Sequence, residues 1–469
     1  MQIRTAFFLI QFLLITFSIN SQVNLFDSKK YSVEELQEDF KYLRTQIQKK
    51  GTVIYLYNTK KKTDQYLDSI YSCIKEPMTD IEFFRLIAPV QAFFKDVHTG
   101  IFPSTAIRKT FFENHYLFPL YIELIEDKVF IEENLSSNSN VSFHQEIISI
   151  NGIPIETIVH TCSLMLPRDG YDNGQPLFYI NRDFSYYFYF IYGPSESYQL
   201  ELKTKEGVTQ TEVVQGKSLK AIWEVDDQLH PFIESRNIYT HYNDSLKTAI
   251  LTLNTFGDKT IKENHKASFG KLIRAEFDTI LKTGYPNLII DVRDNDGGNS
   301  GDGKKVMKYI LKTSFEMKKS VRVVKNKNEE DLMKRTRPAL NGQFQRGTYK
   351  PHKRGFDGDV YVLVNGGSTS AAVVFAATLK RNKRVTFVGI EMGGNPIVMG
   401  GALWDNVKST PNTKISFMYG NKLNILDNLE LNTGHGLIPD HVIENSYEDF
   451  ISGKDSQMLF TLKLIEKKL

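Results

Sequence analysis

The sequence predicts an α/β fold in which a mostly parallel sheet occupies the C-terminal half of the chain. From about Tyr239 onward, buried strands such as "NLIIDVR" and "VYVLVN" alternate with amphipathic helices such as "FGKLIRAEFDTILKTG". Alternation of this kind is typical of parallel sheets that carry helices on their faces. The two strands end in glycine-rich polar loops, which we expect to open at the same edge of the sheet, where ligands bind in such folds.

The N-terminal region, residues 22–104, is predicted to be helical. Capping boxes begin at Ser32 ("SVEE") and at Thr79 ("TDIE"), and each precedes apolar residues at helical spacing. A further helix is predicted from Asp64 to Ile74. The last helix ends in "KDVHTGIFP", where glycine and proline interrupt the pattern.

The middle region, residues 110–232, is predicted to be rich in β-strands, because short alternating segments replace the helical spacing. "FPLYIELIEDKVFIEENL" is typical of a hairpin with Glu126-Asp127 at its turn, and "HQEIISINGIPIETIV" of a strand, an Asn151-Gly152 turn and a helix start. The aromatic run "FSYYFYFIYGP" is assigned to this β-rich region, as core packing in preference to an apolar groove. The α/β region then covers residues 235–469.

The first residues have the composition of a cleavable secretory signal. "MQIRTAFFLIQFLLITFSINSQ" places one arginine before an apolar stretch and small polar residues after it. The stretch is too short for a comfortable membrane span, although a retained N-terminal anchor is the alternative. We therefore expect residues 1–21 to be removed and the mature chain, from about Gln22, to be exported to the periplasm or outside the cell with no integral membrane span.

The composition gives no reason to expect nucleic acid, a metal or a cofactor. The net charge is only +3 in 469 residues, so neither nucleic acid nor an anionic membrane is demanded as a partner. Cys73 and Cys162 do not make a disulfide framework in a chain this long, and they either pair or stay free thiols. No Cys/His cluster has zinc spacing.

A serine stands at the sharpest bend of the α/β region. In "VYVLVNGGSTSAAVVFAATLKRN", Ser370 lies between a buried strand and the start of a helix. One interpretation is an ordinary helix cap. The other is a nucleophile whose hydroxyl is exposed above the sheet, where the positive end of the helix favours developing negative charge.

The other strand-end loop, "DVRDNDGGNSGDG", supplies candidate oxyanion donors. Paired glycines, Gly297 and Gly298, let backbone N–H groups approach a ligand closely. A calcium loop is the alternative, but the acidic residues miss the EF-hand register. A serine nucleophile also needs a base, and His98 is the candidate, at a helix-to-strand break between Asp96 and Thr99. Taken alone, His98 is more simply a structural turn residue.

Five segments, taken in order, resemble the C-terminal processing (tail-specific) family of serine peptidases and its tricorn-core-like relatives. They match the family's Asp-x-His-Thr-Gly segment, its PDZ-type element, its Asp-x-Arg-x-Asn-x-Gly-Gly loop, its nucleophile segment and its closing Pro-Asp segment. The matching stretches are "DVHTGI", "HQEIISINGIPI", "IIDVRDNDGG", "VYVLVNGGSTSAAVVFAATLKRNKRVTFVG" and "GHGLIPDHVIENSYEDFISGKD". The departures are His144 in place of a usual glycine and the missing Ser-Glu continuation after the nucleophile.

The resemblance implies a ClpP/crotonase-like catalytic domain, a PDZ-like middle domain and a helical N-terminal region. It places Ser370 as the nucleophile and His98 as the base, because Asn395 stands where the family's lysine-dyad branch has its lysine. Backbone N–H groups of Gly297 or Gly298 and of Ala371 would form the oxyanion hole.

The acid that supports the base is poorly fixed by the resemblance. It implies a carboxylate late in the catalytic domain. Glu430 is the expected residue from its position downstream of the serine, and Asp427 is the alternative. Asp440 of the closing segment is expected to be structural.

The function implied is that of an exported serine endopeptidase, which cleaves unfolded or extended polypeptides through an acyl-enzyme. Peptide or unfolded protein is the expected partner, held by strand addition to the middle domain, and self-assembly is left open. The alternative is a catalytically inactive protein on the same scaffold that binds a peptide or an apolar ligand. Acyl-CoA chemistry on a crotonase-type fold is a weaker third interpretation, because an exported chain meets little coenzyme A.

Overall fold

The computed structural model describes residues 29–114, 116–229, 237–339, 347–402 and 406–468. The predicted signal, residues 1–21, lies outside these ranges. Within them, no helix combines the length and the apolar character needed to cross a membrane.

The N-terminal region is helical, as predicted, and both capping boxes form. The Ser32 hydroxyl accepts from the Glu35 N–H while the Glu35 carboxylate accepts from the Ser32 N–H. The predicted helix after Thr79 is divided in two at Pro89, since proline has no N–H to continue the ladder. The elements are α1 (Val33–Lys50), α2 (Lys60–Ser72), α3 (Asp80–Ile87), α4 (Pro89–Phe94), β1 (Gly100–Phe102) and α5 (Thr105–Glu113).

The middle region contains a twisted antiparallel sheet with helices against it. Both predicted turns form, with positive φ angles at Glu126, Asp127, Asn151 and Gly152. The strands run in the order β2-β3-β4-β6-β7, and β5 pairs with β4. The elements are β2 (Leu120–Ile125), β3 (Lys128–Asn134), β4 (Glu146–Ile150), β5 (Ile153–Pro154), α6 (Ile155–Leu164), α7 (Gly174–Tyr192), β6 (Ser197–Lys203), β7 (Thr209–Gln215) and α8 (Leu219–Leu229).

The aromatic run of the middle region is a helix, so its assignment to the strands was wrong. It forms the second half of α7, beyond a non-helical residue at Asp183 (φ −124°, ψ 31°). Aromatic residues favour strands only weakly, and tertiary packing decides their conformation. Here Phe184 and Phe188 are buried against the sheet, whereas Phe190 faces the N-terminal helices.

The C-terminal region contains the predicted α/β sheet, in the order β21-β16-β15-β10-β9-β8. All its neighbours are parallel except β8 and β9. Its first elements are β8 (Ile238–Asn243), β9 (Thr248–Leu253), α9 (Asp258–His265), α10 (Phe269–Thr283), β10 (Asn287–Asp291), α11 (Ser300–Ile310), β11 (Phe315–Glu316), β12 (Ser320–Val324), α12 (Leu332–Arg335), β13 (Thr336–Pro338), β14 (Thr348–Tyr349), β15 (Asp359–Val364) and α13 (Ala371–Arg381).

Smaller antiparallel sheets attach the rest of the chain to this core. They are β13-β12-β20-β17, β11-β14 and β1-β19-β18. The remaining elements are β16 (Thr386–Gly389), β17 (Val398–Gly401), β18 (Val407–Ser409), β19 (Ser416–Met418), β20 (Lys422–Ile425), a short 3-10 helix (Leu429–Leu431), β21 (His441–Val442), α14 (Tyr447–Ile451) and α15 (Ser456–Glu466).

The pairing of β1 with β19 joins the N-terminal region to the α/β region. Gly100 lies opposite Met418, and Phe417 packs into the same apolar cluster as the N-terminal helices. This pairing fixes the position of the segment that precedes β1, which contains His98. Cys73 is exposed and Cys162 is buried in α6, and both are free thiols.

Candidate active site

The bend between β15 and α13 holds Ser370 in a strained conformation. Its φ of 52° and ψ of −109° lie outside the regions that non-glycine residues commonly adopt. Such strain persists only where the surroundings impose it, and it clusters at functional sites. The Ser370 side chain makes no capping hydrogen bond to α13. Ser370 occupies the N-cap position of α13, but its hydroxyl does not cap the helix and is left available for other contacts.

The structure brings His98 to Ser370 from the other end of the chain. The Oγ atom of Ser370 lies 3.4 Å from Nε2 of His98. The imidazole is nearly buried, with 13% of its side chain exposed. A hydroxyl and an imidazole nitrogen at this separation are within reach of proton transfer after a small closing motion.

The carboxylate that lies beside His98 is that of Asp96, two residues earlier. Asp96 is fully buried and accepts hydrogen bonds from the His98 N–H (3.2 Å) and the Thr99 hydroxyl (2.7 Å). Its Oδ1 atom is 3.9 Å from Nδ1 of His98. Gly400 and Gly420 press against it, because a Cβ on either glycine would come within 2.6 Å of an Asp96 oxygen. The carboxylate is thus held in place facing the ring.

The structure does not bring Glu430 to this pair. Glu430 is exposed on the short 3-10 helix, and its carboxylate accepts from the side chain of Asn428. The alternative, Asp427, faces Arg381 at 3.9 Å. Neither carboxylate contacts His98, so the expected late acid is not found at the imidazole. Asp96 was present in the motif that identified His98, but its contact with the imidazole was not predicted.

Burial holds the pKa of His98 below its ordinary value. The nearby Asp96 charge raises this pKa and Lys422 lowers it, and burial has the largest effect. The imidazole is therefore neutral at pH 7. Its Nδ1 atom has no hydrogen-bond partner among the described residues. A neutral ring can present Nε2 as an acceptor to Ser370.

The glycine-rich loop after β10 lies directly against the bend. Gly297 (φ 95°) and Gly298 (φ 123°) adopt conformations that favour glycine. A Cβ on Gly297 would lie 2.7 Å from both Cβ of Ser370 and N of Ala371. The Gly297 N–H donates to Asn295 Oδ1 at 2.9 Å. Within the described part of the chain, the N–H groups of Gly298 and Ala371 donate to no acceptor. Of the predicted donors, these two are free to face an oxyanion.

Hydrogen bonds tie the two loops together. The Thr369 N–H donates to the carbonyl of Asn295 at 2.9 Å, and the Ser368 hydroxyl donates to the carbonyl of Val292 at 2.7 Å. The Asn295 side chain in turn donates to the carbonyl of Leu253. Sequence reasoning gave these residues no role, because Asn, Ser and Thr in glycine-rich loops have the composition of ordinary turns.

Asn395, at the position of the lysine in the lysine-dyad branch, is buried and structural. Its amide donates to the Tyr57 hydroxyl at 2.9 Å and to Asn432 at 2.6 Å, and its oxygen accepts from the Ile397 N–H. It makes no hydrogen bond to Ser370 or His98. The segment after the bend therefore supplies no base.

A second buried carboxyl group, that of Asp169, contacts the backbone of Val97 next to His98. Its Oδ1 atom accepts from the N–H of Val97, and its Oδ2 atom has no partner within the described ranges. Burial, followed by the charge of Asp96, raises the pKa of Asp169 to about 8. Burial likewise raises the pKa of Asp172 to about 7 and that of Glu123 to about 8. Asp169 and Glu123 are therefore largely protonated in the folded protein at neutral pH, and Asp172 is protonated in about half of the molecules.

Asp169→Asn is expected to weaken the pH dependence of stability. The folded-state pKa lies above the value of the unfolded chain, so its contribution is fully present below about pH 4 and is lost as the pH rises through about 8. Each such group changes the free energy of unfolding by up to about 1.4 kcal/mol per pH unit. Asparagine cannot ionise. The melting temperature of the variant should equal that of the wild type near pH 4 and exceed it increasingly towards pH 8.

Thermal unfolding between pH 4 and pH 9 measures this effect. Asp127→Asn is the matched control, since Asp127 is an exposed turn residue at φ 63°, a conformation that asparagine tolerates. Parallel curves for the wild type and Asp169→Asn would show that Asp169 is ionised in the folded protein.

Comparison with known proteins identifies the α/β region. Residues 247–413 match the model of peptidase family S41. The matched range includes the glycine-rich loop and Ser370, while His98 lies outside it. No curated protein matches the sequence.

Solved structures share the fold over most of the chain. A mutant of CPAF is similar with a TM-score of 0.66 and 14% identity, covering 93% of this chain and 97% of that chain. Mature CPAF complexed with lactacystin is similar with a TM-score of 0.63 and 14% identity, covering 93% of this chain and 98% of that chain. The photosystem II D1 C-terminal processing protease has a TM-score of 0.45 and 14% identity, covering 88% of this chain and 94% of that chain. The two CPAF comparisons show that the architecture is shared beyond the matched range.

Proposed function

We propose that this serine-type peptidase, which has a peptidase family S41 domain over residues 247–413, is an exported endopeptidase. It cleaves unfolded or extended polypeptides through an acyl-enzyme. The observation that carries this proposal is the strained Ser370, whose Oγ lies 3.4 Å from a nearly buried imidazole. Export is proposed from the composition of residues 1–21 alone.

The first step is attack by the serine on a peptide carbonyl. Nε2 of His98 takes the Ser370 proton as Oγ forms a bond to the carbonyl carbon. The carbonyl π electrons move onto oxygen, and the resulting oxyanion accepts hydrogen bonds from the N–H groups of Gly298 and Ala371. Preorganised donors of this kind contribute roughly 3 kcal/mol each to transition-state stabilisation.

The second step releases the amine and then the acid. The C–N bond breaks as the His98 imidazolium returns its proton to the leaving nitrogen, which leaves an ester on Ser370. Water then gives a proton to His98 and attacks the ester carbonyl. Collapse of this intermediate breaks the C–Oγ bond, and the imidazolium re-protonates Ser370.

Asp96 is proposed as the positioning residue in place of Glu430. Its negative charge, 3.9 Å from Nδ1, favours the imidazolium that forms in each step. Because its oxygens also accept from the His98 N–H and the Thr99 hydroxyl, the carboxylate and the backbone of the base move together. The PDZ-like character of the middle region, its domain limits and peptide binding by strand addition remain part of this proposal.

The proposal is tested by the pH dependence of proteolysis. With a reduced, carboxymethylated protein as substrate, kcat/KM should rise with pH and level off with an apparent pKa below 6.5, because only neutral His98 accepts the proton. Ser370→Ala measured in parallel supplies the background. A Ser370→Ala rate equal to the wild-type rate would contradict the proposal. A rise centred above pH 8 would instead assign the base to a lysine, with Lys422 as the candidate because its charge acts on His98.

A further inference from the structure

A cavity of about 540 Å³ lies between the N-terminal helices, β1, β2, α8 and the second half of α7. Its walls are mostly apolar and rich in aromatic residues, including Phe102, Phe111, Phe184, Tyr186 and Phe190. Protein interiors are close-packed, so a space of this size exceeds an ordinary packing defect and falls in the range of ligand sites.

Two large exposed aromatic side chains also line the cavity. Phe112 on α5 is 59% exposed and Trp223 on α8 is 53% exposed. Aromatic side chains of this size are usually buried, and exposed ones beside an apolar space indicate a binding site. The space is therefore open to an incoming apolar group.

The cavity is connected to the active site through α7. Phe178 on this helix packs against the bend, since a Cβ on Gly367 would lie 2.6 Å from its ring. Arg182, one turn further on, lines the cavity and places its guanidinium carbon 5.4 Å from the centre of the Phe178 ring. Burial raises the pKa of Asp296 in the glycine-rich loop, and the nearby Arg182 charge partly offsets this rise. One helix thus contacts the catalytic bend and the cavity.

The cavity is also connected to the base through β1. Phe102 lines the cavity and lies four residues after His98. From Phe178 to Arg182, before the interruption of α7 at Asp183, the helix rises about 6 Å, which an extended peptide covers in about two residues. Arg182 lines the cavity, and the part of the cavity beyond it at Ser185 is about one peptide residue further on. A substrate bound at Ser370 can therefore reach the cavity with a nearby side chain.

One polar group on the cavity wall has no partner. The hydroxyl oxygen of Ser185 is buried and makes no hydrogen bond within the described part of the chain. Buried hydroxyl groups are normally paired, and an unpaired one beside a cavity suits a ligand that brings its own donor or acceptor. Tyrosine and tryptophan side chains combine a large apolar body with such a polar tip.

We propose that this cavity binds a bulky apolar side chain of the polypeptide substrate, about three residues from the scissile bond. The site prefers tyrosine and tryptophan, whose polar tips can pair with the Ser185 hydroxyl. The inference rests on the proposed peptidase function. It names a recognition site that is separate from strand addition to the middle region, and it predicts which segments of an unfolded protein are cut first.

The test uses quenched fluorescent peptides of alanine, glycine and serine in which a single tryptophan occupies each position in turn. A tryptophan about three residues from the cut bond should raise kcat/KM by about tenfold or more over serine at that position, as expected for burial of a large apolar group. Ser185→Phe, which fills the cavity, and Trp223→Ala should reduce this preference to about twofold. Tyr242→Ala, an exposed aromatic residue on β8, is the control and should keep the full preference.

Two further readouts keep the test decisive. Fluorophosphonate labelling of Ser370 should proceed at the wild-type rate in all three variants, because the reagent does not need the cavity. Trp223 is mostly exposed, so Trp223→Ala carries the test if Ser185→Phe fails to fold. A tryptophan preference that survives in both cavity variants, or is missing in the wild type, would overturn the inference.

Failure of the peptidase function is distinguishable from failure of the cavity inference. If the wild type cleaves no peptide, binding of the same fluorescent peptides to the protein is measured by anisotropy. Tighter binding of the tryptophan peptides that is lost in Ser185→Phe and Trp223→Ala would support the cavity site alone. Equal binding of the serine and tryptophan peptides would overturn it.

Discussion

Replacing His98 by alanine is expected to lower kcat/KM for an unfolded protein by about 10⁴-fold to 10⁶-fold. Among the described residues no other side chain hydrogen-bonds to the Ser370 hydroxyl, and Asn395 and Glu430 are hydrogen-bonded elsewhere. The strained bend and the oxyanion donors remain, so a small residual rate is expected. Steady-state proteolysis of a reduced, carboxymethylated protein measures the loss.

His160→Ala is the matched control for this substitution. His160 lies exposed on α6 and is expected to be dispensable for the reaction. Its rate should equal that of the wild type, and circular dichroism should show all three proteins folded. A loss below about tenfold in His98→Ala would assign the base elsewhere.

Gly298→Ala is expected to lower kcat/KM by about 10² to 10³-fold and to lower the free energy of unfolding by about 2 kcal/mol. At φ 123° an alanine is strained, and its Cβ would lie 2.6 Å from the carbonyl carbon and oxygen of Phe256. The clash is with backbone, so the loop must shift and carry the Gly298 N–H away from the oxyanion position.

Gly284→Ala is the control for the strain alone. Gly284 ends α10 at φ 67°, and no atom lies within 4 Å of an added Cβ. It should lower stability by about 1 kcal/mol and leave kcat/KM unchanged. Thermal unfolding and proteolysis of both variants separate the two effects. A wild-type kcat/KM in Gly298→Ala would remove Gly298 from the oxyanion hole.

The repeating elements of the fold were predictable because their signals are local. Capping boxes at Ser32 and Thr79, the two hairpin turns and the βαβ alternation all depend on neighbouring residues. The aromatic run of α7 was assigned wrongly because nearly every one of its positions is apolar, so neither the strand nor the helix period is visible. Only the packing of this helix between the sheet and the N-terminal helices decides its conformation.

The site was predicted in part. Ser370 and the paired glycines follow directly from strand ends, and His98 entered through a resemblance that includes its neighbour Asp96. The position of Asp96 beside the ring was not predicted, because sequence spacing does not reveal which carboxylate packs against an imidazole. The contact between His98 and Ser370 depends on the pairing of β1 with β19, a long-range feature that no local pattern encodes. The orphan hydroxyl of Ser185 and the cavity depend on tertiary packing in the same way.

The most direct measurement of the central claim is fluorophosphonate labelling of the folded protein, with the adduct located by mass spectrometry. We expect one adduct, on Ser370, that is absent from Ser370→Ala and lost or strongly slowed in His98→Ala. An unlabelled wild type, or an equal adduct in Ser370→Ala, would show that Ser370 is not an activated nucleophile and would contradict the account.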